Sequence, residues 1–325
     1  MNIFYTCDDN FVYLAGISMI SICENNRDME TLDFYLLGDN IPDSSKQALS
    51  EISASYGRTI SVIDVPQLNV PKELYNQRWP RSAYTRLFSG QLLPDSIEKA
   101  LYLDCDTLII GSLKELDRIS SQYTVCGVKD CISEYYKENI GLEKEAVYIN
   151  AGVLLINLKK LREIDMNRAI ADFFDTYSKT MFFADQDVLN GIFKGNVGIL
   201  DPKYDMMTIQ YSLSYKELMT IRRPSNYYSK EELDRAKENP SIIHFTTFMT
   251  DIRPWIEGSE HPYAKDFEKY MAMSPWGDKK KMERKRDTGN KRIMAYILLV
   301  PKFIAYPILG FLHSVVRPLL KRRRK

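Results

Sequence analysis

The segment LYLDCDTLII (residues 101–110) places two aspartates, Asp104 and Asp106, inside an otherwise apolar run. Its leucines, isoleucines and threonine favour a buried strand, and side chains along a strand alternate between its two faces. Asp104 and Asp106 are therefore expected to point the same way, and two buried like charges favour a cation between them. Carboxylate oxygens suit Mg²⁺ or Mn²⁺. For this segment alone, a solvated turn with a helix cap is the competing interpretation.

Strand and helix patterns alternate along the chain around this segment. Predicted strands cover residues 2–6, 32–39, 59–65, 123–130, 147–158 and 241–247, and residues 197–205 are predicted as a strand followed by a turn. Predicted helices cover residues 11–25, 44–57, 82–93, 161–178 and 185–195. The alternation predicts an α/β fold with a mostly parallel sheet and helices on both faces. Because ligands collect at the carboxyl ends of parallel strands, Asp8 and its neighbours, which follow the first strand, should share a rim with Asp104 and Asp106.

The charge is unevenly distributed along the chain. Residues 276–325 carry 15 Lys and Arg against 3 Asp and Glu, a net +12, so residues 1–275 carry −11 of the overall +1. We therefore predict an acidic globular domain over residues 1–275 and a separate basic tail over residues 276–325.

The tail has an apolar centre, residues 293–320, between two basic segments. Lysine and proline interrupt this centre at Lys302, Pro301, Pro307 and Pro318. The prolines are expected to break a helix, which favours a segment lying in the membrane interface over a spanning helix. Basic residues would hold it to the anionic inner surface of the cell membrane. Aromatic residues expected at headgroup depth are Tyr296, Phe303, Tyr306 and Phe311. A disordered basic tail or a nucleic-acid patch leaves the apolar centre unexplained, so no nucleic-acid partner is expected.

The cysteine pattern indicates a reducing compartment. The five cysteines are an odd number and form no C-x-x-C pair, which predicts a cytosolic protein without a disulfide framework. The start MNIFYTCDDN lacks a basic n-region, which argues against a secretory signal. The expected location is the cytoplasm, peripheral to the inner face of the cell membrane.

Other residues could complete a metal or anion site. His244 ends a predicted strand and would be a nitrogen ligand for Mn²⁺ if that strand reaches the acidic rim; a local hydrogen bond is the simpler role. Asp185 begins a predicted helix, where capping alone would account for it. Arg86 and Arg253 are possible anion partners, or ordinary surface arginines.

Several segments taken together resemble glycosyltransferase family 8, in the order and spacing of that family. They are FYTCDDNFVYLAGISMISI (4–22), SAYTRLF (82–88), LYLDCDTLI (101–109), YINAGVLLINLKKLR (148–162), DQDVLN (185–190), IIHFTT (242–247) and RPW (253–255). The likeness covers about residues 1–260 and is greatest to bacterial galactosyl- and glucosyltransferases of lipopolysaccharide and surface-polysaccharide assembly. It implies a GT-A fold, a UDP-galactose or UDP-glucose donor, Mn²⁺ or possibly Mg²⁺, and transfer with retention to a glycan or lipid-linked saccharide.

The resemblance also implies roles for individual residues. The metal ligands would be Asp104, Asp106 and His244. The nucleoside would be held by Asp8 and Asn10, and the donor-sugar pocket would be lined by Asn150, Ala151 and Gly152. Arg86 and Asp185 would hold sugar hydroxyls, and Gln186 would lie near the anomeric carbon. The expected catalytic residues are Gln186 and Asp185, and further donor contacts are expected from Thr6, Asp9, Cys105 and Arg253.

One motif departs from the family pattern. Where the family has Lys-Pro-Trp, this chain has Arg253-Pro254-Trp255 after extra residues. Arginine can bind a diphosphate through two nitrogens but is not equivalent to lysine.

Alternative functions are a glycogenin-like self-glucosylating enzyme, a nucleotidyltransferase and a non-catalytic sugar- or nucleotide-binding module. A nucleotidyltransferase usually carries a Gly-rich basic loop near its N-terminus. The segment TCDDNFV (6–12) has neither Gly nor Lys, which argues against that alternative. Retention allows a covalent intermediate on a carboxylate or front-face attack; because an amide is a poor nucleophile, Gln186 favours the latter.

Overall fold

The computed structural model describes residues 1–68, 81–120, 122–194, 196–248, 252–284 and 300–323. The strands are β1 (Asn2–Asp8), β2 (Asp33–Asp39), β3 (Thr59–Asp64), β4 (Lys99–Leu103), β5 (Thr107–Ile109), β6 (Val125–Lys129), β7 (Ile149–Asn157), β8 (Val197–Ile199), β9 (Met206–Met207) and β10 (Ile242–His244). The α-helices are α1 (Val12–Asn25), α2 (Asp43–Ser55), α3 (Arg81–Thr85), α4 (Ser89–Leu92), α5 (Lys114–Arg118), α6 (Glu134–Glu138), α7 (Leu158–Arg162), α8 (Met166–Tyr177), α9 (Ala184–Ile192), α10 (Thr208–Ser212), α11 (Tyr215–Arg222), α12 (Lys230–Glu238), α13 (Ala264–Ala272), α14 (Lys302–Phe311) and α15 (Arg317–Arg322).

A seven-stranded sheet in the order β3-β2-β1-β4-β7-β6-β8 forms the centre of the fold. The β1–β2, β2–β3, β1–β4 and β6–β8 pairs are parallel, and β7 runs antiparallel to both β4 and β6. Strand β7 is buried along almost its whole length, as expected for a strand covered on both faces. The predicted α/β fold with a mostly parallel sheet is confirmed.

A smaller sheet in the order β5-β10-β9 lies beside the main one. Helix α1 contacts β5 and is buried from Val12 to Cys23, because a helix that is apolar all round must be enclosed by other elements. Strand β10 pairs antiparallel with β5, so that His244 faces Thr107. This second sheet therefore brings the C-terminal half of the chain to the end of β4.

The prediction of one continuous strand over residues 101–110 is wrong. Strand β4 ends at Leu103 and β5 begins at Thr107, in a different sheet. A turn joins them, in which the Thr107 amide and hydroxyl both donate to the Asp104 carbonyl, at 3.2 and 2.8 Å. Asp104 and Asp106 thus lie in a turn between two sheets, where strand alternation does not determine their directions.

Two predicted helices are divided in the structure. The region 82–93 forms α3, a short 3₁₀ turn (Arg86–Phe88) and α4. The region 161–178 contains the end of α7 and a separate helix, α8, which begins where the Asp165 side chain accepts the Arg168 amide. Helix α7 ends at Arg162, and the Asp165 side chain starts a second helix three residues later.

The C-terminal segment forms a helical stretch from Lys302 to Arg322, with a π-helical turn (Leu312–Val316) between α14 and α15. Its 21 residues make it long and apolar enough to cross a membrane by length and composition. The expected interruption at Pro307 and Pro318 is wrong, since the helix continues through both. Backbone carbonyls near the π-turn find partners elsewhere: the hydroxyls of Ser133 and Tyr136 donate to Ser314 and His313.

This C-terminal helix packs on the globular domain. Ala305, Tyr306 and Leu309 are buried on its inner face, and Gly310 lies so close to α11 that a Cβ would come within 2.2 Å of the Thr220 carbonyl oxygen. Tyr306, expected at headgroup depth, is thus turned toward the protein. Phe303 and Phe311 are exposed, and Tyr296 lies outside the described residues.

Candidate active site

Three side chains that are distant in sequence converge at the turn after β4. The His244 Nε2 atom lies 3.6 Å from Asp104 Oδ2 and 3.3 Å from Asp106 Oδ1. One ligand atom from each of the three residues lies within 4.8 Å of the others. The structure therefore brings together the three residues expected to bind a metal.

The donor set fits a divalent metal ion. Two carboxylate oxygens with one imidazole nitrogen suit Mn²⁺, and neighbouring ligands of an octahedral ion at about 2.1 Å lie about 3 Å apart. Gly152 makes room for the set, because a Cβ there would lie 2.2 Å from His244 Cε1 and 2.9 Å from Asp104 Oδ2. The glycine of the Asn-Ala-Gly motif is thus required by close approach to two candidate ligands.

Asp205, which sequence analysis did not single out, lies behind His244. It is fully buried, and its Oδ1 is 2.9 Å from His244 Nδ1. Burial alone would lower the pKa of His244, but Asp205 and Asp106 raise it well above its ordinary value. A carboxylate on Nδ1 holds the imidazole with Nε2 facing the ligand position, which is the usual support of a metal-binding histidine.

We expect Asp205→Ala to lower the affinity for Mn²⁺ by about 10- to 100-fold, the usual cost of losing such a supporting group. Asp205→Asn should lose less, because its amide oxygen still accepts the Nδ1 proton. Free Mn²⁺ measured by electron paramagnetic resonance gives the affinity without substrate. Asp201→Asn is the matched control, since Asp201 caps the preceding 3₁₀ turn and accepts the Lys203 amide. Unchanged affinity in a folded Asp205→Ala protein would contradict the assignment.

A buried arginine connects α9 to the turn between β4 and β5 that carries Asp104 and Asp106. Arg86 Nη1 lies 2.9 Å from Asp104 Oδ1, and its Nε lies 3.2 Å from Asp185 Oδ2. The guanidinium also donates to the Ala151 carbonyl and stacks 4.4 Å from the Tyr102 ring centroid. Despite its burial, Asp104 and Asp185 raise the pKa of Arg86. Arg86 is therefore a buried bridge between two carboxylates and not a surface arginine.

Asp185 is not the cap of its helix. The residue before α9 is Phe183, and it is Asp187 whose carboxylate accepts the amides of Phe182 and Phe183, at 2.5 and 2.8 Å. Asp185 is buried, and burial raises its pKa to about 6 although Arg86 opposes the change. Asp185 therefore lies inside the site.

Gln186 is held between β7 and the end of β6. Its Oε1 accepts the Ala151 amide at 3.1 Å, and its Nε2 donates to Asp130 Oδ2 at 2.9 Å. Asn150 shapes the same wall: its Oδ1 accepts the Gly152 amide at 2.7 Å. Asp130 was also missed by sequence analysis. It ends a predicted strand, and Asp205 ends a predicted turn after a strand; an acid at such a position was the available signal.

The end of β1 lies next to this site. Thr6 Oγ1 is 3.3 Å from the Tyr102 hydroxyl, which itself donates to Asp104 Oδ1. Cys105 is buried, with its Sγ 3.8 Å from the Thr6 carbonyl oxygen. Strand β1 therefore lies against the turn that carries Asp104 and Asp106 at Thr6, two residues before Asp8.

Four further residues were predicted to bind the donor: Asp8, Asp9 and Asn10 at the end of β1, and Arg253. Asp8 is half-buried and accepts the amide of the exposed Asn10 at 3.0 Å, whereas Asp9 accepts a hydrogen bond from Ser45 on α2. Arg253 is half-buried, lies 5.3 Å from the Trp255 ring centroid, and is one of the charges that lower the pKa of Asp106. The Arg253 guanidinium therefore contributes to keeping the Asp106 carboxylate ionised.

Comparisons with known proteins agree with this geometry. The model of the family "Glycosyl transferase family 8" matches residues 2–258. General stress protein A of Bacillus subtilis is 24% identical over 85% of this chain and 94% of its own. Lipopolysaccharide 1,2-glucosyltransferase of Escherichia coli K12 is 25% identical over 95% of this chain and 89% of its own.

Among solved structures, the galactosyltransferase LgtC in complex with donor and acceptor sugar analogues superposes with a TM-score of 0.70 and 27% identity, over 85% of this chain and 96% of LgtC. A variant of LgtC in which an active-site glutamine is replaced by glutamate superposes equally well. The likeness confirms the GT-A fold, with its sheet and helices in the arrangement described above. Since the family model covers most of the residues that form the sheet and the site, the chain belongs to glycosyltransferase family 8.

Proposed function

We propose that the protein is a hexosyltransferase that moves galactose or glucose from a UDP-sugar to a glycan or lipid-linked saccharide, with Mn²⁺ and with retention at the anomeric carbon. The observation that carries this proposal is the cluster of Asp104, Asp106 and His244. In the same site, Gln186 accepts the amide of Ala151 in the Asn-Ala-Gly motif of β7, and the chain belongs to family 8. Relatives named as lipopolysaccharide glucosyl- and galactosyltransferases support the hexose and the cell-surface acceptor.

The site offers a role for each group. Asp104, Asp106 and His244 would hold the metal ion, which when bound supplies charge neutralisation for the departing diphosphate. Arg253 lies close enough to Asp106 to lower its pKa and would bind the same phosphates. Arg86 fixes Asp104 and Asp185, and Asp185 would accept a sugar hydroxyl. Two ion pairs and the backbone carbonyls of Ala83 and Ala151 hold the Arg86 guanidinium, so its task is to orient these carboxylates.

We favour front-face attack for the retaining step. Gln186 is an amide with both ends of its side chain engaged, by the Ala151 amide and by Asp130. Such a group is suited to holding the sugar in place and not to forming a covalent bond to it. The two buried acids beside Gln186 in sequence are engaged as well, Asp185 by Arg86 and Asp187 by the amides of Phe182 and Phe183.

A donor panel tests the proposed function. Purified protein with Mn²⁺ should release UDP from UDP-galactose or UDP-glucose, and NMR of the product should show the same anomeric configuration as the donor. Absence of UDP release from every hexose donor would contradict the function, and an inverted product would contradict retention. Mass spectrometry of the purified chain would reveal attached glucose, and so would distinguish a glycogenin-like self-glucosylating enzyme from one that transfers the sugar to another acceptor.

We expect Gln186→Ala to lower kcat by about five- to tenfold while the KM for the donor changes little, because a hydrogen bond made best in the transition state is lost. Steady-state kinetics with the preferred donor measures this. Gln47→Ala is the control, since Gln47 donates to Glu51 on the surface of α2. A raised KM with unchanged kcat would make Gln186 a ground-state binding residue only.

We further propose that the C-terminal helix associates with the anionic inner face of the cell membrane, so that the enzyme is cytoplasmic and peripheral. Its outer face is apolar and exposed at Phe303, Ile304, Ile308, Phe311 and Leu312. Basic residues lie in the last turns of this helix: Arg317 and Arg323 are exposed, whereas Lys321 and Arg322 are half-buried against the domain. An apolar face buried in the interface with lysines and arginines beside it is typical of a helix that lies in a membrane surface.

Flotation with anionic liposomes tests this association. The double variant Phe303→Asp/Phe311→Asp should lose flotation, because both side chains are exposed on the outer face. Deletion of the tail is a poorer test, since the helix is packed on the domain. Met273→Asp is the matched control, an exposed apolar residue that follows α13. Equal flotation of the double variant and wild type would contradict the proposal.

A further inference from the structure

The C-terminal helix is in direct contact with the segment that leads into helix α9, whose first turn carries Asp185 and Gln186. This lead segment comprises residues 180–184 and ends immediately before Asp185 and Gln186. Lys321 donates to the Met181 carbonyl, and its Nζ lies 4.3 Å from the centroid of the Phe182 ring. The Arg317 guanidinium lies 4.9 Å from the same ring. Two cations of the helix therefore hold one aromatic side chain of the lead segment.

Helix α6 connects the same two parts of the molecule. The Tyr136 ring packs against Phe182 and Phe183, with centroids 4.9 and 5.2 Å away, and its hydroxyl donates to the His313 carbonyl at 2.8 Å. The Asn139 side chain donates to the Pro318 and Thr180 carbonyls at 3.1 and 3.4 Å. The helix, α6 and the lead segment thus form one packed unit.

The lead segment contains a strained residue. Ala184 has φ 45°, in the left-handed region that costs a non-glycine residue about 1–3 kcal/mol and persists only where the surroundings enforce it. On one side, Asp187 holds the segment through the amides of Phe182 and Phe183. On the other side lie Tyr136 and the C-terminal helix. This conformation of Ala184 directs Asp185 toward Arg86 and Gln186 toward the Ala151 amide.

We propose that the C-terminal helix positions the first turn of α9, which carries Asp185 and Gln186. Arg317 and Lys321 act as positioning residues through their contacts with Phe182. The kinetic part of this inference rests on the proposed hexosyltransferase function; the structural part does not. The helix is therefore a component of the active-site scaffold as well as a candidate membrane element.

The test compares Arg317→Met/Lys321→Met with wild type and with Lys302→Met. The methionines keep much of the side-chain length and remove the charge. Lys302 is the matched control because it lies on the same helix but pairs with Glu217, away from the lead segment. Hydrogen–deuterium exchange of residues 180–187 is the first readout. We expect faster exchange in the double variant only; equal exchange in all three proteins would overturn the proposal.

Kinetics are the second readout, in detergent-free solution with the preferred donor. The double variant should lose about 10- to 100-fold in kcat, the scale of a misplaced catalytic group. Its loss of Mn²⁺ affinity should be smaller, because α9 carries none of the three metal ligands and reaches Asp104 through Arg86. Arg317→Lys/Lys321→Arg should restore most of the rate. A kcat equal to that of Lys302→Met would overturn the positioning role. If wild type itself releases no UDP, the proposed function fails, while the exchange measurement still decides the structural coupling.

Discussion

Replacing Asp106 with asparagine should remove measurable Mn²⁺ binding at micromolar metal and lower kcat/KM by about 10²- to 10³-fold, as for other lost electrostatic stabilisers. Burial would raise the pKa of Asp106, but His244 and Arg253 outweigh it and lower that pKa, so the residue is an anion at neutral pH. Asparagine has nearly the same shape and no charge. The loss is therefore one of charge at the ligand position.

The measurement pairs Mn²⁺ titration with UDP release from the preferred donor. Asp64→Asn is the matched control, since Asp64 ends the parallel strand β3 and pairs with Lys46 at the surface. Asp104→Asn should behave like Asp106→Asn. If Asp106→Asn binds Mn²⁺ as wild type does, or if wild type keeps full activity after dialysis against EDTA, the metal assignment is wrong.

Replacing Arg86 with methionine should lower the free energy of unfolding by about 3–5 kcal/mol, the usual cost of leaving buried charges unpaired. The Arg86 and Asp185 side chains are 8% and 7% exposed, so water cannot replace the lost partner. Asp104 would also lose its contact with Arg86, and activity should fall with stability. Urea unfolding at neutral pH measures the change.

The pH dependence of that loss identifies its cause. The pKa of Asp185 is already raised to about 6 in the presence of Arg86, so its ionised form costs stability above that pH. Without Arg86 the pKa rises further and this cost grows; protonation should relieve it progressively as the pH falls through the raised pKa toward the ordinary value of 3.8. Arg86→Met/Asp185→Asn should recover part of the stability at neutral pH. A loss that is independent of pH and is not relieved by Asp185→Asn would instead indicate lost packing.

Local sequence patterns were sufficient for the main elements of the fold. The strands and helices from residue 2 to residue 64 lie within two residues of their predicted bounds, because period-2 and helical apolar patterns there coincide with real burial. The predicted grouping of Asp104, Asp106 and His244 is also present. The reason given for it was incomplete, since the two aspartates meet through a turn between sheets and not through strand alternation.

Asp205 and Asp130 show where local patterns were insufficient. Asp130 ends a predicted strand and Asp205 ends a predicted turn after a strand, yet their roles depend on contacts with Gln186 and His244, 56 and 39 residues away in the chain. An acid at the end of a strand is common, and only spatial neighbours distinguish a supporting carboxylate from a solvated one. Gly152 is a similar case, because its lack of a side chain matters only where His244 approaches it.

The sequence by itself determined the α/β alternation, the positions of the acidic clusters and the resemblance to family 8, since these depend on residue order and local burial. Only the tertiary structure decided that Arg86 bridges two carboxylates, that Asp205 supports His244 and that the C-terminal helix packs on the domain. The last case gives the physical reason. Proline in a helix leaves backbone carbonyls without partners, and whether the helix survives depends on donors such as Ser133 and Tyr136, 181 and 177 residues away.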